Sequence, residues 1–219
     1  MNRTLRKLIL SCLIPSCLGL LALTVPAFAH PHVWVAMRSE VLFDDGKVVG
    51  VRHHWVFDEM YSSFAVTGVG AAGAQLSDET LLPIAQTNVE QLEEYQYFTS
   101  IKMGGKKLEF APAKDYSIHQ DEAKILTLHF TVPLKAPVPV GKFLALQIYD
   151  PSYFVAFSFV KDEAVKLVNA PAGCSLSVSQ PKALEETETK KLNESFFSGL
   201  SPGADFGIKL ADRAIVACP

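Results

Sequence analysis

Two stretches of strand-period sequence, Val33 to Phe43 and Lys47 to Phe57, flank Asp44-Asp45-Gly46, and this arrangement limits the fold more than any other feature of the chain. β-Branched and aromatic residues suit a pleated surface, and Asp-Gly tolerates the positive φ angles of a tight turn, so an antiparallel hairpin is expected. The pattern then turns helical over about 58–97. Asp58-Glu59 precedes Met60, Tyr61 and Phe64, small residues fill Gly68 to Ala74, and Ser77-Asp78-Glu79 caps a second helix. That helix carries Leu81, Leu82, Ile84, Val89, Leu92 and Tyr95 at three- and four-residue spacings and should end near Tyr97, with Pro83 tolerable only in about the first turn.

From Phe98 to Val168 the strand period returns. About five strands are expected, over 98–103, 106–110, 123–132, 142–149 and 153–160, with turn signals at Gly104-Gly105, at Pro133 to Gly141 and at Asp150-Pro151. Lys182 to Leu200 has room for one helix, and Asp205 to Cys218 returns to the core. Strands that follow strands argue for a mainly β (α+β) fold, an antiparallel β-sandwich-like domain with a two-helix insertion after the first hairpin. They argue against a doubly wound sheet and against a two-lobed α/β clamshell.

The first 29 residues belong to none of this. Arg3, Arg6 and Lys7 form a basic start, Leu8 to Leu23 an apolar run, and Ala27-Phe28-Ala29 a small-x-small cleavage site. A signal peptide over 1–29 and a single periplasmic domain over 30–219 are expected. Lipidation at Cys17 is the rival, disfavoured because an apolar stretch follows where a tether should be polar. Cleavage leaves 17 Lys and Arg against 23 acids, a net charge of −6, which makes the domain a poor nucleic-acid binder. No second apolar stretch is long enough to span a bilayer. Cys12 and Cys17 leave with the signal, so the remaining pair, Cys174 and Cys218, is expected to form one disulfide in an oxidising compartment. Two buried free thiols are the alternative, and a zinc pair is weaker still, because neither cysteine has CxxC spacing or a neighbouring His.

The sharpest chemical feature is His30-Pro31-His32-Val33-Trp34. Imidazoles at i and i+2 share one face of an extended strand, and cleavage after Ala29 would add the α-amine of His30. Pro31 has no N–H, so ligands there must be amine and imidazole. If the hairpin turn centres on Asp45, paired positions sum to 90 and His32 faces Asp58; with Asp45-Gly46 as a two-residue loop they sum to 91 and His32 faces Glu59. A candidate metal site therefore comprises His30, His32, Asp58 and Glu59. The same register sets His54 near Ala36 or Met37, roughly 13 Å from His32, so neither His53 nor His54 joins that site without a bulge. His119, beside Asp121 and Glu122, reads as a solvated loop residue, and His129 as a core-edge histidine. No Gly-x-Ser-x-Gly, phosphate-cradling loop or Cys nucleophile is present, so no enzymatic activity is expected.

The HPHVW start, together with Trp55-Val56-Phe57-Asp58-Glu59-Met60, Tyr97-Phe98-Thr99, Tyr149-Asp150-Pro151-Ser152-Tyr153 and the Cys174 and Cys218 ending, resembles a family of uncharacterised bacterial periplasmic proteins. Members are often labelled the periplasmic component of an uncharacterised ABC-type transport system, and many are encoded beside nickel/cobalt or zinc transporters. Many carry an Asp- and Gly-rich, calcium-loop-like segment between the two helices; Val66 to Gln75 has no acidic residue here, so no calcium site is carried over. The resemblance implies a periplasmic accessory protein that binds a divalent transition metal (zinc, nickel, cobalt or copper) and works with an inner-membrane metal transporter. Imidazole plus carboxylate ligands do not choose among those ions. The competing expectations are a metal-free adaptor that docks on a membrane transporter and, more remotely, a copper redox enzyme using His30. Amino-terminal sequencing of the exported protein should begin at His30; a start at Met1 or a lipidated Cys17 would contradict this reading of the leader.

Overall fold

The hairpin forms as β1 (Val33–Asp44) and β2 (Lys47–Phe57), closing at Asp45 and Gly46, whose φ angles are 44° and 72°. A computed structural model of the chain describes residues 31–71, 73–140, 143–181, 196, 199 and 205–219. The expected signal peptide, His30 and, apart from residues 196 and 199, the helix expected over Lys182 to Leu200 lie outside the described residues.

Two helices follow the hairpin, as expected. Asp58 caps α1 (Glu59–Ala65) by accepting the Tyr61 N–H at 2.8 Å, and Ser77 caps α2 (Asp78–Glu94) by accepting the Thr80 N–H at 3.2 Å. Pro83 lies one turn deeper in α2 than its missing N–H would favour. Leu81, Ala85 and Val89 form the buried stripe of α2, which packs along β5 (Lys114–Gln120). The chain leaves α2 through Gln96, Tyr97 and Phe98, all in the left-handed region with φ of 53°, 54° and 48°. L-residues avoid that region, so tertiary contacts must hold the turn. Tyr97 is buried, and its hydroxyl accepts the Ala113 N–H at 2.9 Å.

The remaining strands are β3 (Thr99–Met103), β4 (Lys106–Lys107), β6 (Leu126–Pro139), β7 (Leu144–Ile148), β8 (Val155–Phe159), β9 (Val165–Val168), β10 (Ser175–Ser179) and β11 (Arg213–Ala217). One sheet runs β5-β6-β2-β1-β8, with β9 also on β1; the other runs β10-β11-β7-β3-β4. The fold is thus mainly β and sandwich-like, with the helical pair inserted after the first hairpin. Pairing is antiparallel except where β8 and β9 run parallel to β1. Among the described residues seven strands, not about five, lie between residues 98 and 168, β5 and β9 being the additions, and two further expectations need correction. His119 sits in β5, a strand whose polar sequence hid it, and Pro133 to Pro139, expected to begin a turn, instead continues β6. Proline removes a donor but keeps its carbonyl, and Pro133 O accepts the Ala111 N–H at 2.9 Å.

Cys174 and Cys218 are bonded at the end of the antiparallel β10–β11 pair, with a sequence separation of 44. The loop-entropy model assigns such a bridge roughly 4 kcal/mol.

The inner faces meet at a polar stitch. His53 of β2 is fully buried, packed on Trp55 and Phe130 with ring centroids 5.5 and 5.0 Å away. The Thr99 hydroxyl donates to Tyr97 O at 2.7 Å, so it accepts from His53 Nε2–H at 3.1 Å, which leaves Nδ1 to accept the Ser39 hydroxyl at 2.9 Å. Ser39 and His53 belong to one sheet and Thr99 to the other, so one imidazole joins both. Burial, with a smaller push from His54, lowers the His53 pKa from 6.5 to about 3. The unfolded chain takes up this proton below about pH 6.5 and the folded chain only near pH 3, so stability is lost as pH falls through that window. His53→Ala should destabilise the protein at pH 7 by roughly 2–5 kcal/mol, through the cavity and the stranded Ser39 hydroxyl. It should also remove about 1.4 kcal/mol per pH unit from the pH dependence between about 6 and 4. Chemical denaturation of both proteins across that range measures both effects.

Candidate functional site

One extra residue in β2 determines which histidines share a face. Near the turn the pairs Asp44↔Lys47 and Phe43↔Val48 follow the two-residue-loop register, but Leu42 pairs with Gly50, so Val49 is bulged out. A Cβ on Gly50 would lie 2.6 Å from Val132 O, so the close approach of β6 there requires glycine. Beyond the bulge paired positions sum to 92. His54 therefore faces Arg38, not Ala36 or Met37, and Val51, His53, Trp55 and Phe57 point inward. Arg52, His54 and Val56 point to the outer face of the sheet.

On β6 the alternation is regular. Leu126, Leu128, Phe130 and Val132 are buried, while Thr127 and His129 face outward. His54 and His129 are direct cross-strand partners, and their rings meet edge to face with Nδ1 atoms 2.5 Å apart. One β5 residue completes the group. His119 pairs with Thr127 and lies diagonal to His129, and its Nδ1 sits 3.0 Å from Asp78 Oδ1 at the start of α2. The three imidazoles line an open cavity of about 340 Å³ with Arg38, Glu40, Glu163 and Lys166. Glu40 is paired with Arg52 at 2.6 Å, and Glu163 with Lys166 at 3.0 Å.

The electrostatics favour neutral rings. Desolvation lowers the His54 pKa, Arg52 and Arg38 lower it further, and Glu40 opposes them. Desolvation also lowers that of His129, reinforced by His54 and His119 and opposed by Asp78. Two neutral imidazoles with Nδ1 atoms this close can share one N–H bond, and on separating to about 3.3 Å both can donate lone pairs to one cation held at about 2.0–2.1 Å from each.

The amino-terminal candidates are arranged differently. Asp58 N–H donates to Trp34 O at 3.0 Å and Trp34 N–H to Asp58 Oδ2 at 2.8 Å, so Asp58 lies opposite Trp34 and not His32. The bulge supplies this shift. Asp58 Oδ1 is the α1 cap, so both carboxylate oxygens already accept backbone N–H groups. Glu59 stands exposed in the first turn of α1. His32 donates its N–H to Phe154 O at 2.8 Å and lays its ring on Phe154, with centroids 4.6 Å apart. His30 lies outside the described residues. Trp34 is half exposed on the same outer face as His54, whereas Trp55 is core.

Two local signals bear on the His54–His129 pair. Gly50 inside a strand marks a bulge, and the strict alternation of Leu126 to Val132 places His129 on the polar face. Only the adjacency of β2 and β6, 75 residues apart at His54 and His129, was beyond local pattern.

Fold and site define a two-sheet β protein with a helical insertion and an imidazole cluster on an open sheet face. The chain matches, over residues 16–218, the family described as protein of unknown function (DUF1007), and it belongs to that family. It is 24% identical to an uncharacterized protein of Haemophilus influenzae over 197 residues, covering 87% of this chain and 91% of that protein. It is also 29% identical over 93 residues to an uncharacterized 15.5 kDa protein in the trpE 3' region of Spirochaeta aurantia, covering 42% of this chain and 66% of that one. In an NMR titration of metal-free protein, His54 and His129 should both protonate below the ordinary histidine value of 6.5; a midpoint above it for either ring would contradict the neutral pair.

Proposed function

We propose that this protein binds a divalent transition-metal ion in the periplasm as the accessory of a metal transporter in the inner membrane. The observation that carries the reading is the convergence of His54 and His129 Nδ1 atoms, 2.5 Å apart, on an open sheet face. Imidazole nitrogen is a borderline donor suited to zinc, nickel, cobalt and copper. Rings that stay neutral near pH 7 offer their lone pairs without first losing a proton.

The exported location is supported by the Arg3 to Ala29 leader pattern and by the Cys174–Cys218 disulfide, which suits an oxidising compartment. Among the described residues no helix is long and apolar enough to cross a membrane. The transport role is supported by the resemblance of the chain to periplasmic transport components. His30 and His32 are the other ligand set of this reading. Asp58 supports it less than its sequence position implied, because both its oxygens are engaged, and Glu59 is the freer carboxylate.

Calorimetry with zinc, nickel, cobalt and copper on protein purified without an affinity tag tests the reading. One ion should bind per chain. His54→Ala or His129→Ala should weaken it by at least the roughly 10–100-fold that follows loss of an outer-shell partner. Affinity should fall with pH as protons compete for the same lone pairs. Loss of binding only in a His30→Ala, His32→Ala double variant would move the ion to the amino terminus. Absence of stoichiometric metal would end the metal reading in favour of a metal-free adaptor.

A further inference from the structure

We propose that His119 is the third ligand of the ion, bound through Nε2, and that Asp78 is the positioning residue that presents it; this rests on the metal reading above. His119 shares the outer face and the cavity with His54 and His129 and stands diagonal to His129 across the β5–β6 pair. Diagonal cross-strand neighbours lie about 7–8 Å apart, within reach of long side chains. The Asp78 carboxylate can only accept, so its contact at 3.0 Å places the proton on His119 Nδ1 and leaves the lone pair on Nε2. A carboxylate behind an imidazole is the usual way to fix the tautomer and orientation of a metal-binding ring.

The alternatives on the same face are occupied. Glu40 is held by Arg52 and Glu163 by Lys166, so either carboxylate would have to leave a cation in order to coordinate. Both instead remain close enough to balance the charge of an ion held by three neutral rings. As the side chains stand, no three His, Cys, Asp or Glu among the described residues converge on one point. The His119 side chain is 58% exposed and Asp78 59%, so the pair can swing toward His129 without disturbing the core.

Three imidazoles with the fourth position open to the cavity suit four-coordinate zinc or cobalt, and an open position lets the ion be passed on. Asp78 begins α2, so the ion would also tie the helical insertion to the sheet.

Cobalt(II) is the probe, because its visible spectrum reports coordination geometry as well as affinity. Wild type should show the intense bands of four-coordinate cobalt. His119→Ala, an exposed change whose folding can be checked by its melting curve, should weaken binding about tenfold or more and collapse those bands. Asp78→Asn should weaken it by roughly tenfold, and Asp78→Glu should recover most of that loss. If wild type and His119→Ala bind cobalt equally with the same spectrum, the third-ligand proposal is overturned while the metal reading stands. If Asp78→Asn matches wild type, Asp78 loses its positioning role. If wild type binds no cobalt or zinc, the metal reading itself fails.

Discussion

The bulge at Val49 is the constraint on which the rest of the structure depends. A strand has a side-chain period of two, so one inserted residue exchanges the faces of everything beyond it. Without the insertion Ser39 would face Arg52, a guanidinium would enter the core, and Trp55 and Phe57 would stand in solvent. With it, Trp55 and Phe57 join the buried cluster, His53 enters between Ser39 and Thr99, and His54 emerges opposite His129. Burying two large aromatic side chains outweighs one unpaired backbone position by several kcal/mol in area terms. Gly50 lets β6 approach closely enough for the ladder to resume.

Two adjacent histidines thus have opposite roles for one geometric reason. His53 is enclosed and hydrogen-bonded at both nitrogens, so it serves the fold and is sensitive to acid. His54 is partly buried at the outer face beside a second imidazole and several charges, so it is available for chemistry. The left-handed turn at Gln96 to Phe98 belongs to the same construction, because it delivers Thr99 to His53 and seats the Tyr97 ring in the core. Strained backbone of this kind persists only where surrounding contacts over-determine it.

The amino-terminal motif stands out by its residue types, and the structure sets it in a different relation to its neighbours. His32 lies on Phe154, and Asp58 is fixed between Trp34 and the first turn of α1. The hairpin arithmetic was right at Asp44 and Lys47 and one residue off at Asp58, because it carried a regular ladder across Gly50. A register inferred from a turn holds only as far as the first irregularity. His119 was misplaced for a related reason. Of its two neighbours only Ile118 is apolar, and a strand that supplies Ile118 and Gln120 to the interior leaves little apolar period to read.

The sequence by itself determined the local elements: the hairpin around Asp45-Gly46, the capped helices after Asp58 and Ser77, and the alternating strand from Leu126 to Val132. Each rests on propensities and periodicities that act over a few residues, so they are written in the chain itself. Tertiary structure alone decided the parallel pairing of β8 and β9 with β1, the neighbourhood of β2 and β6, and the meeting of His54, His129 and His119 on one face. Those depend on which buried surfaces match across tens of residues, and free energy of that kind is distributed over the whole core instead of any one segment.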